Sequence, residues 1–289
     1  MRSKTDLKNT LRKLDTLPAM PAIAQKLLSL PLETSKGENA MLKLIELDPQ
    51  LSAKIIGLAN SSLFTSSHKI TSVCDAAMLL GMTRVKSVAI GISAMSALTK
   101  MPHGRLSLQD MWLHSLTVAL SMRTIAKYMP ARVRPGDDQI FLAGLLHDIG
   151  YLVLAYLDTK LSDQLHAKLA ERQHEQSILE IEQQMLGITH NELSSLLADN
   201  WGLPSEIIFA LRYHHASVSP KTSEGNSLIT LINISEKLHP AFGMPELSES
   251  DISDPEWLAL GIDPGNCKEI RARVIAQAEQ AKQLASTIV

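Results

Sequence analysis

Two residues with metal-ligating side chains stand side by side in the most apolar stretch of this sequence. They are His147 and Asp148, within IFLAGLLHDIGYLVLAYL (140–157), and no other strongly polar residue interrupts that run. A buried carboxylate without a partner costs several kcal/mol, so it is neutralised, paired or given a cation. The rest of the chain offers partners. His114 lies in another apolar helical stretch, His190 opens a helix, His214 and His215 end one, and Glu236 sits in the next. Imidazoles and carboxylates projected from several helices of a bundle are a recurring way to build a two-metal site. This set offers mixed nitrogen and oxygen coordination, suited to one or two divalent ions such as iron, manganese or zinc. A carboxylate such as Asp148, bridging two ions about 3.5–4 Å apart, would let the pair activate water against a phosphate ester.

Taken singly, each residue also has a plainer reading. His114 on an apolar helix face reads as a hydrogen-bonded core histidine, and His190 as a polar residue beside a helix cap. His214 and His215 suit the negative dipole end of a helix without any metal. His103, His166, His174 and His239 fall in polar or loop-like stretches and read as surface residues, as does His68. Only the conjunction of His114, His147, Asp148, His190, His214, His215 and Glu236 points to a metal centre.

The elements that must carry these side chains read as helices throughout. Apolar residues recur at helical spacing, and no run of alternating β-branched residues suggests a strand. The pattern predicts helices over Ala22–Leu30, Asn39–Leu47, Gln50–Asn60, Thr71–Leu80 (closed by Gly81) and Thr83–Leu98, the last rich in small residues. Pro102 and Gly104 mark an internal boundary. Ser107 and Asp110 have capping-box spacing and open a helix to about Tyr128; Thr189 and Glu192 do the same for one ending near Asn200. Between them lie a single buried helix over Ile140–Leu157 and a long one over Leu161–Leu186. Ser205–His215, Ser227–Leu238, Asp254–Leu260 and Cys267–Ser286 complete the pattern, with a loop over Ser217–Asn226.

Composition narrows the class. A chain of 289 residues can bury one large core or two lobes. A net charge of −2 gives no pull toward nucleic acid, and no basic stripe with interleaved aromatics appears. Two cysteines far apart, Cys74 and Cys267, imply neither a disulfide framework nor a cysteine zinc site. The run 140–157 is long enough to span a membrane. Its central ionisable pair and its flanking Asp137, Asp138 and Asp158 argue instead for a buried core helix. The charged N-terminus, MRSKTDLKNTLRKLD, lacks an apolar signal core, so a cytoplasmic protein is expected.

Over roughly 14–239 the chain resembles the HDOD family, the HD-related output domains of bacterial signalling proteins. The likeness rests on LPAMPAIAQKLLSL (17–30), IELDPQLSAKIIGLANSSLF (45–64), ITSVCDAAMLLGMTRVKSVAI (70–90), GLLHDIG (144–150) and GITHNELSSLLADNWGLPSEIIFALRYHH (187–215). The resemblance implies an all-α fold of two packed helical lobes, the C-terminal one similar to HD phosphohydrolases. On that pattern residues 1–104 form the N-terminal lobe, 105–240 the HD-like lobe and 241–289 a helical extension. His114, His147, Asp148, His190, His214 and His215 fall on the superfamily's metal-ligand positions, and Glu236 stands where a late Asp is usual. The related HD-GYP phosphodiesterases place a Lys straight after HDIG; here that residue is Tyr151, and no GYP follows His215. Arg132 or Arg134 in the 131–135 loop would be the nearest substitutes for the missing cation. The resemblance therefore implies a metal-capable but catalytically incomplete site. The expected role is regulatory, through a signalling protein or small-molecule ligand, with no nucleic-acid or membrane partner; a metal-dependent phosphohydrolase is the alternative.

Overall fold

The computed structural model describes residues 17–61, 63–64, 66, 68–99, 104–172, 176–216, 226–238, 244 and 250–288, and among them every regular element is helical. The N-terminal part contains α1 (Ala22–Ser29), α2 (Ser35–Glu46), α3 (Pro49–Ala59), α4 (Val73–Leu80) and α5 (Met82–Leu98). Each start has a local cause. Thr34 accepts a hydrogen bond from the Gly37 N–H, Asp48 from those of Gln50 and Leu51, and Ser72 from that of Asp75. Gly81, at φ 94°, ends α4 and lets α5 leave at a bend of 116°.

The second part contains α6 (Leu108–Ala126), α7 (Asp137–Leu146), α8 (Ile149–Leu157), α9 (Thr159–Ala170), α10 (Ile178–Leu186), α11 (His190–Asn200), α12 (Ser205–Tyr213) and α13 (Asn226–Leu238). After α14 (Asp254–Ala259) and a short 3₁₀ turn, α15 (Cys267–Ile288) returns to pack along α6. α6 is buried on nearly every side because α7, α13 and α15 all pack on it. α5 joins the two parts by packing on α7. A Cβ built on Gly91 of α5 would stand 3.0 Å from the Leu145 side chain of α7, so small residues there permit close approach.

Three sequence expectations change in detail. The apolar run 140–157 is not one uniform helix: α7 stops at Leu146 and α8 starts at Ile149, with His147 and Asp148 at the break. The expected helix 161–186 is two, α9 and α10, because the polar stretch after Ala170 interrupts it. Ser107 accepts from the Asp110 N–H, but the shorter Asp110 side chain makes no return bond, whereas Thr189 and Glu192 form the full box. The 137–157 stretch is apolar and long enough to cross a membrane, yet 89% of its most apolar window is buried inside the fold. Cys74 and Cys267 are both free. Most of the loop placed over 217–226 and the break at 101–103 lie outside the described residues.

Candidate metal centre

The break between α7 and α8 creates the site. α7 leaves carbonyls open at its C-terminus, and the His147 ring takes one of them: Nδ1–H donates to the Gly144 carbonyl at 2.8 Å. His214 repeats the device at the end of α12, donating from Nδ1 to the Leu211 carbonyl at 2.8 Å. A carbonyl only accepts, so both rings carry hydrogen on Nδ1 and turn Nε2 inward. His190, the first residue of α11, is held differently. Its backbone N–H and its Nδ1 both donate to Glu182 of α10, at 2.9 and 2.8 Å. Asn191 and Asn233 donate to the carbonyls of Arg212 and His214, which fixes the end of α12 that carries His214 and His215.

All seven residues singled out in the sequence meet at one place. Asp148 stands in the middle. Its Oδ2 lies 3.3 Å from His114 Nε2 and 3.2 Å from His147 Nε2. Its Oδ1 lies 3.5 Å from His190 Nε2 and 3.6 Å from His214 Nε2. Glu236 Oε1 is 3.3 Å from His147, and Oε2 is 3.7 Å from His215. The ligand-type atoms thus form two groups that share Asp148: His114, His147, Asp148 and Glu236, and Asp148, His190, His214 and His215. Within each group the atoms lie within 4.8 Å of one another.

The donor set fits a bound cation. His190 Nε2 and His214 Nε2 face each other at 3.3 Å although the Nδ1 hydrogens of both rings are engaged elsewhere. Two such nitrogens repel unless a proton or a metal ion lies between them. Atoms about 2.0–2.2 Å from one ion stand about 2.8–3.6 Å apart in octahedral or tetrahedral arrangements, and the separations here are of that size. Both oxygens of Asp148 and both of Glu236 are buried and make no well-aligned hydrogen bond. Among the described residues no lysine or arginine pairs with Asp148, Glu182 or Glu236, so their charges are met by histidines alone.

The titration directions report the same crowding. Burial pushes the His147 imidazole down, but the Asp148 charge and the close Asp148 and Glu236 oxygens outweigh it and hold His147 well above its ordinary range. Burial raises Asp148, yet His147 and the surrounding imidazoles hold it well below the usual carboxylate range. Glu236 falls to about 2, burial being outweighed by His215 and His147. His214, buried and next to His215, is pushed down to about 4. His190 is raised against its burial by Glu182, and Glu182 is lowered against its own burial by His190. Protons on histidine are therefore the alternative to a cation here, at the same nitrogens.

Two further residues complete the surroundings, of which sequence reasoning passed over Glu182. Glu182 is fully buried and orients His190, as a carboxylate behind a metal-ligating histidine commonly does. A signal was present: Ile178, Ile181, Glu182 and Leu186 are the buried positions of α10, so a lone carboxylate interrupts an apolar helix face. Tyr151, read from the sequence as a missing cation, is fully buried and stacks on the His190 ring at 4.5 Å and 15°. Its hydroxyl helps to hold the Glu182 carboxyl below its usual range. Arg134 does not replace the cation. It donates to the Lys127 and Met129 carbonyls past the end of α6, and at 1.5 Å per residue the C-terminus of that helix is roughly 18 Å from His114. His166 is half-buried rather than exposed, donating to the Ser162 carbonyl and lying edge-on to Tyr151. His68 is exposed as expected; His103, His174 and His239 lie outside the described residues.

Gly150 sets the distance between α8 and α11. Its N–H donates to Ser194 Oγ at 2.8 Å, and a Cβ there would stand 2.0 Å from the His190 carbonyl oxygen. Gly150→Ala must push away the first turn of α11, and with it His190. The expected result is a loss of about 3 kcal/mol, at the top of the range for overpacking, together with reduced metal content. A melting temperature within about 2 °C of the parent protein, with unchanged metal content, would show that α11 is not held by this contact.

The HDOD domain family model matches residues 17–217. An uncharacterised protein of Treponema pallidum (strain Nichols) is 23% identical over 208 residues, covering 70% of this chain and 38% of that protein. The chain thus spans about two fifths of the curated relative it matches. Among solved structures, an HDOD domain protein with unknown function from Geobacter sulfurreducens is 23% identical with a TM-score of 0.71, covering 94% of this chain and 96% of that one. A candidate signal transduction protein from Marinobacter aquaeolei VT8 is 24% identical with a TM-score of 0.76, covering 99% of this chain and 65% of the other. A candidate metal-dependent phosphohydrolase from Shewanella amazonensis SB2B is 17% identical with a TM-score of 0.61, covering 97% and 98%. At these identities the likeness is one of fold.

Proposed function

The chain belongs to the HDOD family, and from that premise we propose that it is a cytoplasmic regulatory protein. In this reading it acts by binding a signalling partner or a small ligand, and its HD-type centre holds one or two divalent ions for structural or sensory purposes. His114, His147, Asp148 and Glu236 would hold one ion, and Asp148, His190, His214 and His215 a second. Bound there, divalent ions supply Lewis acidity and lower the pKa of water.

The observation that carries this reading is burial. Of the seven ligand-type residues, six are at most 1% exposed, and only His215 is partly accessible. A phosphodiester needs an open coordination position and room beside it. The position where related phosphodiesterases carry a cation is filled by Tyr151, which is fully buried and stacked on His190. The chain's own residues thus orient imidazoles and exclude water more readily than they admit a substrate. Capture of a partner or ligand from a cell extract by the full chain, lost on chelation, is the test. A chain that retains nothing in either metal state would lose the reading's main support.

The phosphohydrolase alternative keeps one specific support. The two ligand groups share a carboxylate, which is the arrangement that two-metal hydrolysis uses.

A further inference from the structure

Helices α1, α3, α5 and α8 border a cleft of about 690 Å³ that lies away from the metal centre and whose lining includes Pro18, Ile23, Gln50, Lys54, Ser96 and Tyr156. A smaller cavity of about 80 Å³ shares Lys54, Ile92 and Ser96 with it and is otherwise walled by Met95, Thr99, Leu108, Met111, Trp112 and Leu152. α6 supplies Met111 and Trp112, so the pair of cavities lies where the N-terminal helices meet the second part of the fold. Ligands commonly occupy such junctions.

Two donors here lack an acceptor among the described residues. Trp112 is 6% exposed, and its buried indole N–H makes no hydrogen bond to them. A buried donor left unsatisfied is destabilising, so its persistence calls for an explanation. Lys54 is half-buried on the wall common to both cavities and, among the described residues, takes part in no ion pair or hydrogen bond. Asp48, the only carboxylate among the described lining residues, is already engaged: its Oδ1 accepts from the Gln50 and Leu51 N–H groups, both at 3.0 Å. One cation and no arginine line the cavities, which suits a single negative charge better than a phosphate, for which forked guanidinium contacts are favoured. The smaller cavity is largely aliphatic. At about 10–15 Å³ per water-sized group it takes roughly five to eight heavy atoms.

We propose that this cleft is a binding site for a small organic carboxylate with a short aliphatic tail. The carboxylate meets Lys54 and the Trp112 indole N–H, and the tail lies against Ile92, Met95, Met111 and Leu152. The proposal rests on the ligand-responsive part of the regulatory reading and not on the metal centre.

Calorimetric titration of the full chain with octanoate, octanol and octylamine tests it, in protein as purified and after chelation. Octanoate is expected to bind about tenfold or more tighter than octylamine, with or without chelation. Lys54→Met should weaken octanoate by about tenfold and leave octanol unchanged, and Trp112→Phe should weaken octanoate several-fold. Ser96→Trp, at an exposed position on the shared wall, should abolish binding without disturbing the core, which keeps the test sound if Trp112→Phe folds poorly. Failure of octanoate to bind at millimolar concentration, equal affinity for the amine, or indifference to Lys54→Met would each overturn the proposal. Such a failure beside an intact response to chelation would remove the cleft site and leave the metal reading standing.

Discussion

Removing divalent metal from the purified chain should lower its melting temperature by about 10 °C. The expectation follows from the charge inventory of the centre. Asp148, Glu182 and Glu236 are buried together with four histidines, beside the partly accessible His215, and among the described residues no lysine or arginine pairs with any of these carboxylates. An ion bound to the native state and not to the unfolded chain stabilises it by about 4 kcal/mol when present at about a thousandfold its dissociation constant. For a chain of this size each kcal/mol moves the midpoint by about 2–4 °C. Asp148→Ala, which removes the carboxylate common to both ligand groups, should abolish the response to chelation. The substitution should destabilise the apo protein less than the metal-bound one, because metal binding stabilises the native state. The measurement is thermal unfolding beside elemental analysis of protein purified without chelator or a nickel column. A metal-loaded protein whose midpoint does not move on chelation would show that the histidines are satisfied by protons alone.

The second large effect is an expected absence of turnover. Metal-loaded protein offered cyclic dinucleotides and nucleotides should hydrolyse them far more slowly than about 1 s⁻¹, the lower range for working enzymes. Phosphoryl chemistry depends mostly on positioning and on neutralising charge. Deleting one such contact costs about 100- to 1,000-fold. Tyr151 supplies no charge, and its ring is stacked on His190 inside the fold. Glu236 adds a methylene where the resembling enzymes use Asp, and the centre is closed except near His215. These losses act at the same step, so their effects combine. Turnover near 1 s⁻¹ by manganese- or iron-loaded protein, abolished in Asp148→Ala, would replace the regulatory reading with the hydrolase.

How far the sequence led depended on the range of the interaction involved. Helix starts were legible because they are local: Thr189 and Glu192 cap α11 from within four residues, and Gly81 stops α4 alone. The histidine set was legible because imidazoles are scarce and fall at helix ends or in apolar runs. The break at His147 was not, since its cause is a side-chain bond to the Gly144 carbonyl in a run without proline. Glu182 was missed because it meets His190 across a turn, and beside Glu180 in a short amphipathic helix it reads as one more solvated carboxylate. The fixed position of Tyr151 required three elements at once: α8 for the ring, α11 for the stacked imidazole and α10 for the carboxylate.

The sharing of Asp148 between two ligand groups has a consequence for the birth of the protein. Chains leave the ribosome N-terminus first, at about 5–20 residues per second. The group of Asp148, His190, His214 and His215 is complete once residue 215 has emerged, whereas its companion waits for Glu236. A nascent chain therefore presents one finished half-site while the other still lacks its last carboxylate. Were the centre to hold ions, its two ligand groups would become available to them in a fixed order, set by translation.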